Sequence, residues 1–177
     1  MQHPAHPMRA DLPLLREPTA KDGADIWRLV RACRPLDENS MYCNLLQCDH
    51  FADTCVLAEL SGEVAGWVSA YVMPNEPDTL FVWQVAVSEA ARGRGLSGVM
   101  LQAILNRPQC TSVTRLQTTI TADNEASWAL FRKFADLQGS ELDITPYYTQ
   151  ALHFQERHKT EHMVTISLTN RDQLAAA

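Results

Sequence analysis

The stretch Val87-Ser88-Glu89-Ala90-Ala91-Arg92-Gly93-Arg94-Gly95-Leu96-Ser97-Gly98 decides how the rest of this chain is read. Upstream of it, residues 79–87 (TLFVWQVAV) form a strongly β-prone run. Downstream, Leu96, Val99, Met100, Ala103 and Ile104 share one helical face that runs to about Asn106, with Pro108 as the stop. The segment is therefore a loop leading from the end of a strand into the N-terminus of a helix. Its glycines let the backbone turn tightly and bring N–H groups close to a ligand, and the helix end adds a partial positive charge. Residues 88–107 carry Arg92, Arg94 and Arg107 against Glu89, a local +2 in a chain with a net charge of −6. That contrast points to an anionic ligand at this loop, a phosphate or pyrophosphate.

Working outward, residues 54–60 (TCVLAEL) and 63–72 (EVAGWVSAYV) read as strands joined by the two-residue hairpin connection Ser61-Gly62, and PNEPD reads as a loop before the next strand. Nearer the start, Leu12 to Leu15 predicts a first strand, and Thr19 to Asp22 offers helix caps. Ile26, Leu29, Val30 and Cys33 then follow helical spacing up to Pro35. LDENSMYCNLLQCDHF reads as a loop and a short second helix. Beyond the central helix come a strand at 113–121, a helix at about 124–137 and an alternating strand, EHMVTISL, at 161–168. Residues 138–159 match no regular pattern. Hairpins followed by one strand–helix–strand–helix unit predict an α/β class with a mixed sheet.

At 177 residues the chain fits one domain, expected over 12–168, with disordered tails at 1–11 and 169–177. The acidic balance, 21 Asp and Glu against 15 Lys and Arg, argues against a nucleic-acid partner. No apolar run approaches the ~20 residues of a membrane span. Five cysteines (Cys33, Cys43, Cys48, Cys55 and Cys110) without a CxxC pair or a signal peptide imply reduced thiols in a cytoplasmic protein. His158 and His162 would lie roughly 13 Å apart in a strand, and no Cys or Asp cluster joins them, so no metal is expected.

Three phosphate loops compete for the opening segment. Gly93 to Gly98 fits GxGxxG, but that dinucleotide fingerprint normally opens the first turn of a doubly wound domain, whereas here hairpin strands come first. A Walker A loop would end in GK[ST], which is missing, and a plain turn with solvated arginines is the bland alternative. The third is the Arg/Gln-x-x-Gly-x-Gly/Ala loop of the Gcn5-related N-acetyltransferases, which Arg92 to Ser97 resembles, with Ser97 in the last small position. Asn124-Glu125-Ala126-Ser127-Trp128-Ala129-Leu130-Phe131, with Lys133 and Phe134 behind, resembles the same family's second signature. The resemblance implies a mixed, mostly antiparallel sheet with a splayed parallel pair flanked by helices. It also implies that acetyl-CoA binds there. The amides of Arg92, Gly93, Arg94, Gly95, Leu96, Ser97 and Gly98 would hold its pyrophosphate, and Val85, Val87 and Asn124 its pantetheine arm. The family's usual acid, a tyrosine, is Phe131 here, and a phenyl ring cannot donate a proton.

Further segments are similar to the L-2,4-diaminobutyrate acetyltransferases of the ectoine pathway: Pro35 to Leu46, His50 to Cys55, Phe81 to Val87, Thr121 to Trp128 and Thr160 to His162. This implies acetyl transfer to the γ-amino group of L-2,4-diaminobutyrate by a cytoplasmic homodimer. The chemistry sets demands. An alkyl amine is neutral in only on the order of one molecule in 10³ near pH 7, so the site must take its proton. A substrate with two ammonium groups also calls for carboxylates. The resemblance offers Asp37, Glu38, Tyr42 and Trp83 as substrate-binding residues. Glu161 is the preferred proton acceptor, with His162 second because its ordinary pKa suits proton transfer. Adjacent in a strand, those two face opposite sides of the sheet. Asp37-Glu38-Asn39 has another use as a helix cap. Trp83 fits either core packing or a cover over a cationic amine. Two rivals stay open: an acetyltransferase of another amine, and a CoA-binding sensor without catalysis, as Phe131 suggests.

Overall fold

The computed structural model describes residues 12–34 and 36–168; the expected tails and the helix stop at Pro35 lie outside the described residues. Among the described residues, seven strands form one sheet in the order β1-β2-β3-β4-β5-β7-β6. They are β1 (Leu14–Arg16), β2 (Val56–Leu60), β3 (Glu63–Met73), β4 (Glu76–Val87), β5 (Arg115–Thr121), β6 (Leu142–Tyr148) and β7 (Glu161–Ser167). The α-helices of the described residues are α1 (Gly23–Ala32), α2 (Met41–His50), α3 (Leu96–Leu105) and α4 (Glu125–Gln138).

Alternation along the strands feeds two cores. On β2 and β3, Val56, Ala58 and Val68 pack with Met100 and Ile104 of α3 and Phe131 of α4. Leu57 and Trp67 point the other way, against Ile26, Leu29 and Val30 of α1 and Cys48 of α2. The sheet is thus covered on both faces. At Gly66 an added Cβ would sit 2.9 Å from the Met100 sulfur, so the small residue lets α3 approach the sheet.

Every neighbouring strand pair is antiparallel except β4 and β5, which α3 connects as a crossover. That pair is short. Thr79, Leu80 and Phe81 match Arg115, Leu116 and Gln117, and then the two strands part. The β2–β3 turn follows the hairpin reading, with Ser61 at φ 53° and Gly62 at φ 82°.

Three local expectations need correcting. PNEPD is not a five-residue loop, because the β3–β4 ladder continues to Met73 opposite Glu76 and the connection tightens to Pro74-Asn75. Pro77 falls inside a register jump, where no regular ladder bond is asked of it. On α3, Val99 is exposed and Leu101 and Leu105 are buried instead. Seven of its ten residues are apolar, so its periodicity did not select a face. The unassigned stretch contains β6, an edge strand paired with β7 and exposed along most of its length. With neither face buried, it shows no alternation.

Candidate active site

The parting of β4 from β5 opens a groove across the sheet. Two adjoining cavities of about 220 and 230 Å³ fill it, and they share Leu36, Val85, Asn124 and Ser127 as walls.

The glycine loop stands at one end. Gly93 and Gly95 adopt φ of 74° and 75°, and Gly95 is the N-cap of α3. A Cβ at either glycine would meet nothing within 4 Å, so the left-handed backbone, not crowding, demands glycine here. The first bond of α3 runs from Val99 N to Gly95 O, 3.2 Å, so the N–H groups of Leu96, Ser97 and Gly98 lie at the helix end. The Leu96 side chain is buried in the core, which leaves only its amide for a ligand. Arg92 folds back, its Nε donating to Val87 O at 3.0 Å, and lines the second cavity; Arg94 is exposed. Arg107 does not belong to the loop. From the far end of α3 its Nη1 donates to the carbonyls of Ala52, Asp53 and Cys55 at 3.0, 3.0 and 2.6 Å, so the local basic charge rests on Arg92 and Arg94.

Along the groove, Val85 and Val87 lie on the segment of β4 that has left β5. Asn124 caps α4, its Oδ1 accepting from Ser127 N at 3.1 Å, and it borders both cavities. Phe131 is buried in the wall of the first cavity.

At the other end the first cavity gathers Asp37, His158 and Glu161, contributed by the loop before α2, the turns before β7 and the first residue of β7. His158 Nε2 lies 3.4 Å from Asp37 Oδ2 and 4.0 Å from Glu161 Oε1. Glu161 is largely buried, and its Oε2 has no hydrogen-bond partner among the described residues. Burial pushes its carboxyl above the usual carboxylate range; His158 pulls it back in part and Asp37 raises it further. Phe154 packs on the His158 ring at 4.6 Å, and Lys159 reaches Asp123 at 2.5 Å. The Lys159–Asp123 pair ties the end of the turns before β7 to the turn before α4.

The other sequence candidates fall in different places. His162 faces away from Glu161, with Nδ1 3.3 Å from Ile120 O, and borders another cavity with Trp128 and Ile144. Trp83 is 49% exposed at the mouth of the cleft, so core packing is not its place. Glu38 turns outward to Arg31 and Arg34, at 3.2 and 2.6 Å, and Tyr42 is exposed on α2; neither lines the cleft. Capping does not occupy Asp37, because the N-cap of α2 is Ser40, whose Oγ accepts from Cys43 N.

Sequence reasoning missed Gln84 and Asn39, and it weighed His158 only as a metal ligand. Gln84 is buried, donates from Nε2 to Asp37 O at 2.9 Å and accepts from Asn39 Nδ2 at 3.3 Å. One amide inside the otherwise apolar run Leu80 to Val87 was the available signal, since a buried amide needs partners. Of the thiols, burial raises Cys43, and pushes Cys48 and Cys55 to about 12.

A groove between splayed strands, with free helix N-terminal amides at one end and carboxylates at the other, is the arrangement of an acyl-CoA-dependent amine acyltransferase. The model of the family described as Acetyltransferase (GNAT) family matches residues 24–135, and the chain belongs to that family. It is 48% identical over 162 residues to the L-2,4-diaminobutyric acid acetyltransferase of Methylotuvimicrobium alcaliphilum, covering 90% of this chain and 94% of the relative. To the enzyme of the same name from Halomonas elongata it is 42% identical, over 97% of this chain and 87% of the relative. Within the wider family, it belongs with these diaminobutyric acid acetyltransferases. The diaminobutyrate acetyltransferase EctA from Paenibacillus lautus, solved with its substrate L-2,4-diaminobutyric acid and coenzyme A, superposes with a TM-score of 0.83 at 36% identity. That match covers 89% of this chain and 95% of that one.

Proposed function

We propose that this chain transfers the acetyl group of acetyl-CoA to the γ-amino group of L-2,4-diaminobutyrate, giving N4-acetyl-L-2,4-diaminobutyrate for ectoine synthesis. The observation that carries this reading is the continuous groove, with anion-binding amides at one end and the Asp37–His158–Glu161 cluster at the other. Acetyl-CoA supplies the activated acetyl group as a thioester. The residues that fit it are the Arg92 to Gly98 backbone for the pyrophosphate, the unpaired edge at Val85 and Val87 for the pantetheine arm, and Asn124.

Asp37 and Glu161 attract the two ammonium groups, and Trp83 covers the cleft mouth. Glu161 accepts the γ-ammonium proton, and its raised affinity for a proton makes it a better base than an exposed carboxylate. The neutral amine then attacks the thioester directly. A backbone N–H of β4 near Val85 stabilises the developing oxyanion. No acyl-cysteine is required: burial raises the Cys43, Cys48 and Cys55 thiols, the opposite of what a nucleophile needs. With Phe131 in the tyrosine position, the leaving thiolate takes its proton from water. A cytoplasmic homodimer belongs to the same reading, on the resemblance to this biosynthetic family; among the described residues no helix is long and apolar enough to cross a membrane.

Thiol release from acetyl-CoA, measured with and without L-2,4-diaminobutyrate, tests the proposal. Diaminobutyrate-dependent release is expected. Acetyl-CoA binding with no release for any amine would instead identify a non-catalytic sensor.

A further inference from the structure

The two cavities of the groove meet at Leu36, Val85, Asn124 and Ser127. One cavity reaches the glycine loop and the other holds the carboxylates, so the thioester of the proposed reaction belongs at this junction. Leu36 and Val85 are apolar walls, and Asn124 Oδ1 already accepts from Ser127 N at 3.1 Å. Ser127 is the hydroxyl residue among the shared walls, and its Oγ has no hydrogen-bond partner among the described residues. The helix sets its direction. Ser127, Phe131, Phe134, Ala135 and Gln138 recur at helical spacing, and the last four are buried, so Ser127 continues that inward stripe at the open end of α4. One turn further on, Phe131 lines the first cavity with a ring that cannot donate.

Acetyl transfer breaks a carbon–sulfur bond. An alkyl thiol has an ordinary pKa of about 8.5, so the sulfur leaves as a thiolate and its new charge needs a donor. We propose that Ser127 is a catalytic residue for this step, its Oγ–H donating a hydrogen bond to the leaving sulfur as the bond breaks. The inference rests on the acetyltransferase reading. A serine hydroxyl is too weak an acid to surrender its proton, so it stabilises the thiolate and water still protonates it. The amine nitrogen bonds the acetyl carbon, the carbon–sulfur bond breaks, and its electron pair goes to sulfur. The nitrogen loses two protons. Glu161 takes the first and water the second, which offsets the proton that water gives the sulfur. The start of α4 acts in the same direction, because Ser127 is the third residue of a 14-residue helix whose positive end borders the groove through Asn124, Ala126 and Ser127.

Single-turnover acetyl transfer from acetyl-CoA to L-2,4-diaminobutyrate is measured in the wild type, in Ser127→Ala, and in the isosteric pair Ser127→Thr and Ser127→Val, which separates the hydroxyl from its volume. Each variant keeps the backbone N–H that donates to Asn124. Loss of one hydrogen bond to a charged group should slow transfer about tenfold to a hundredfold in Ser127→Ala and Ser127→Val. Ser127→Thr should stay within about threefold, and both steady-state KM values within about twofold. A second readout needs no turnover: calorimetry compares CoA with desulfo-CoA, the same molecule without its sulfur, from about pH 6.5 to about pH 9.5. A donor to the thiolate lowers the bound thiol's pKa, so preference for CoA grows with pH, and that growth should be about tenfold smaller in Ser127→Ala. Unchanged transfer rates in Ser127→Ala and Ser127→Val, a loss confined to the acetyl-CoA KM, or equal growth with pH in wild type and Ser127→Ala would overturn the assignment. If Ser127→Ala does not fold, Ser127→Thr against Ser127→Val decides by both readouts. A wild type that releases no thiol with diaminobutyrate would overturn the functional reading itself, a different result from an active wild type whose variants lose nothing.

Discussion

Gln84→Leu isolates the role of a residue that touches neither reacting group. Gln84 is 8% exposed, and its amide makes two bonds to the loop that carries Asp37: Nε2 to Asp37 O at 2.9 Å and Oε1 from Asn39 Nδ2 at 3.3 Å. Leucine has a similar volume and removes both. The shorter bond is worth about 1 kcal/mol and the longer one about half of that. The Asp37 side chain is largely exposed, so water can rehydrate the loop and no large burial penalty adds to the sum. A total of about 1.5 kcal/mol corresponds to about a tenfold loss. It should fall on the diaminobutyrate KM, because the freed loop must be ordered again each time the amine binds. The acetyl-CoA KM should stay within about twofold, since the glycine loop is held by α3 and not by Gln84. Two-substrate kinetics with a thermal melt read all of this. An unchanged diaminobutyrate KM, or equal rises for both substrates, would refute the idea that Gln84 positions the substrate loop.

Glu161→Gln should lower kcat at neutral pH by about a hundredfold or more while acetyl-CoA binding persists, as measured by stopped-time thiol release and calorimetry. Because burial raises the Glu161 carboxyl, wild-type activity should fall with decreasing pH above the range of an ordinary carboxylate, and the variant should lack that limb. Gly95→Ala forces an L side chain to φ 75° at the start of α3, which should cost about 1–2 kcal/mol in urea unfolding and raise the acetyl-CoA KM with little change for the amine. Away from the cleft, Arg16 hydrogen-bonds Asp22 and holds its carboxyl at about 2, below the ordinary 3.8. The depressed value means this stabilisation is complete above about pH 4 and is lost as pH falls toward 2. Asp22→Asn should therefore cost about 1–2 kcal/mol at pH 7, after allowing for the part-exposed arginine, and almost nothing near pH 2.

The elements easiest to read were the deeply buried strands and the turns that punctuate them. TCVLAEL and EVAGWVSAYV are near-continuous apolar runs because β2 and β3 are covered on both faces, and Ser61-Gly62 marks the turn because both residues take positive φ. The glycine loop was legible for the same local reason, a left-handed backbone at Gly93 and Gly95. What escaped depends on distant partners. β6 is an exposed edge strand with no hydrophobic rhythm, and its existence follows from pairing with β7. The sequence position of Arg107 suggested loop charge, yet its guanidinium reaches the carbonyls after α2. Asp37 lies more than a hundred residues before His158 and Glu161 in the chain, and only the fold brings it to them. Strand alternation did separate Glu161 from His162, a relation that needs nothing beyond two adjacent residues.

On the proposed function, the groove delivers acetyl to one particular nitrogen of one small diamine acid. Incubating the purified chain with acetyl-CoA and an equimolar mixture of L-2,4-diaminobutyrate, ornithine and lysine, then assigning the products by NMR, tests it most directly. N4-acetyl-L-2,4-diaminobutyrate should be the dominant product, with thiol release in equal amount. Acetylation at the α-nitrogen, a preference for ornithine or lysine, or no acetylated diaminobutyrate at all would contradict the account.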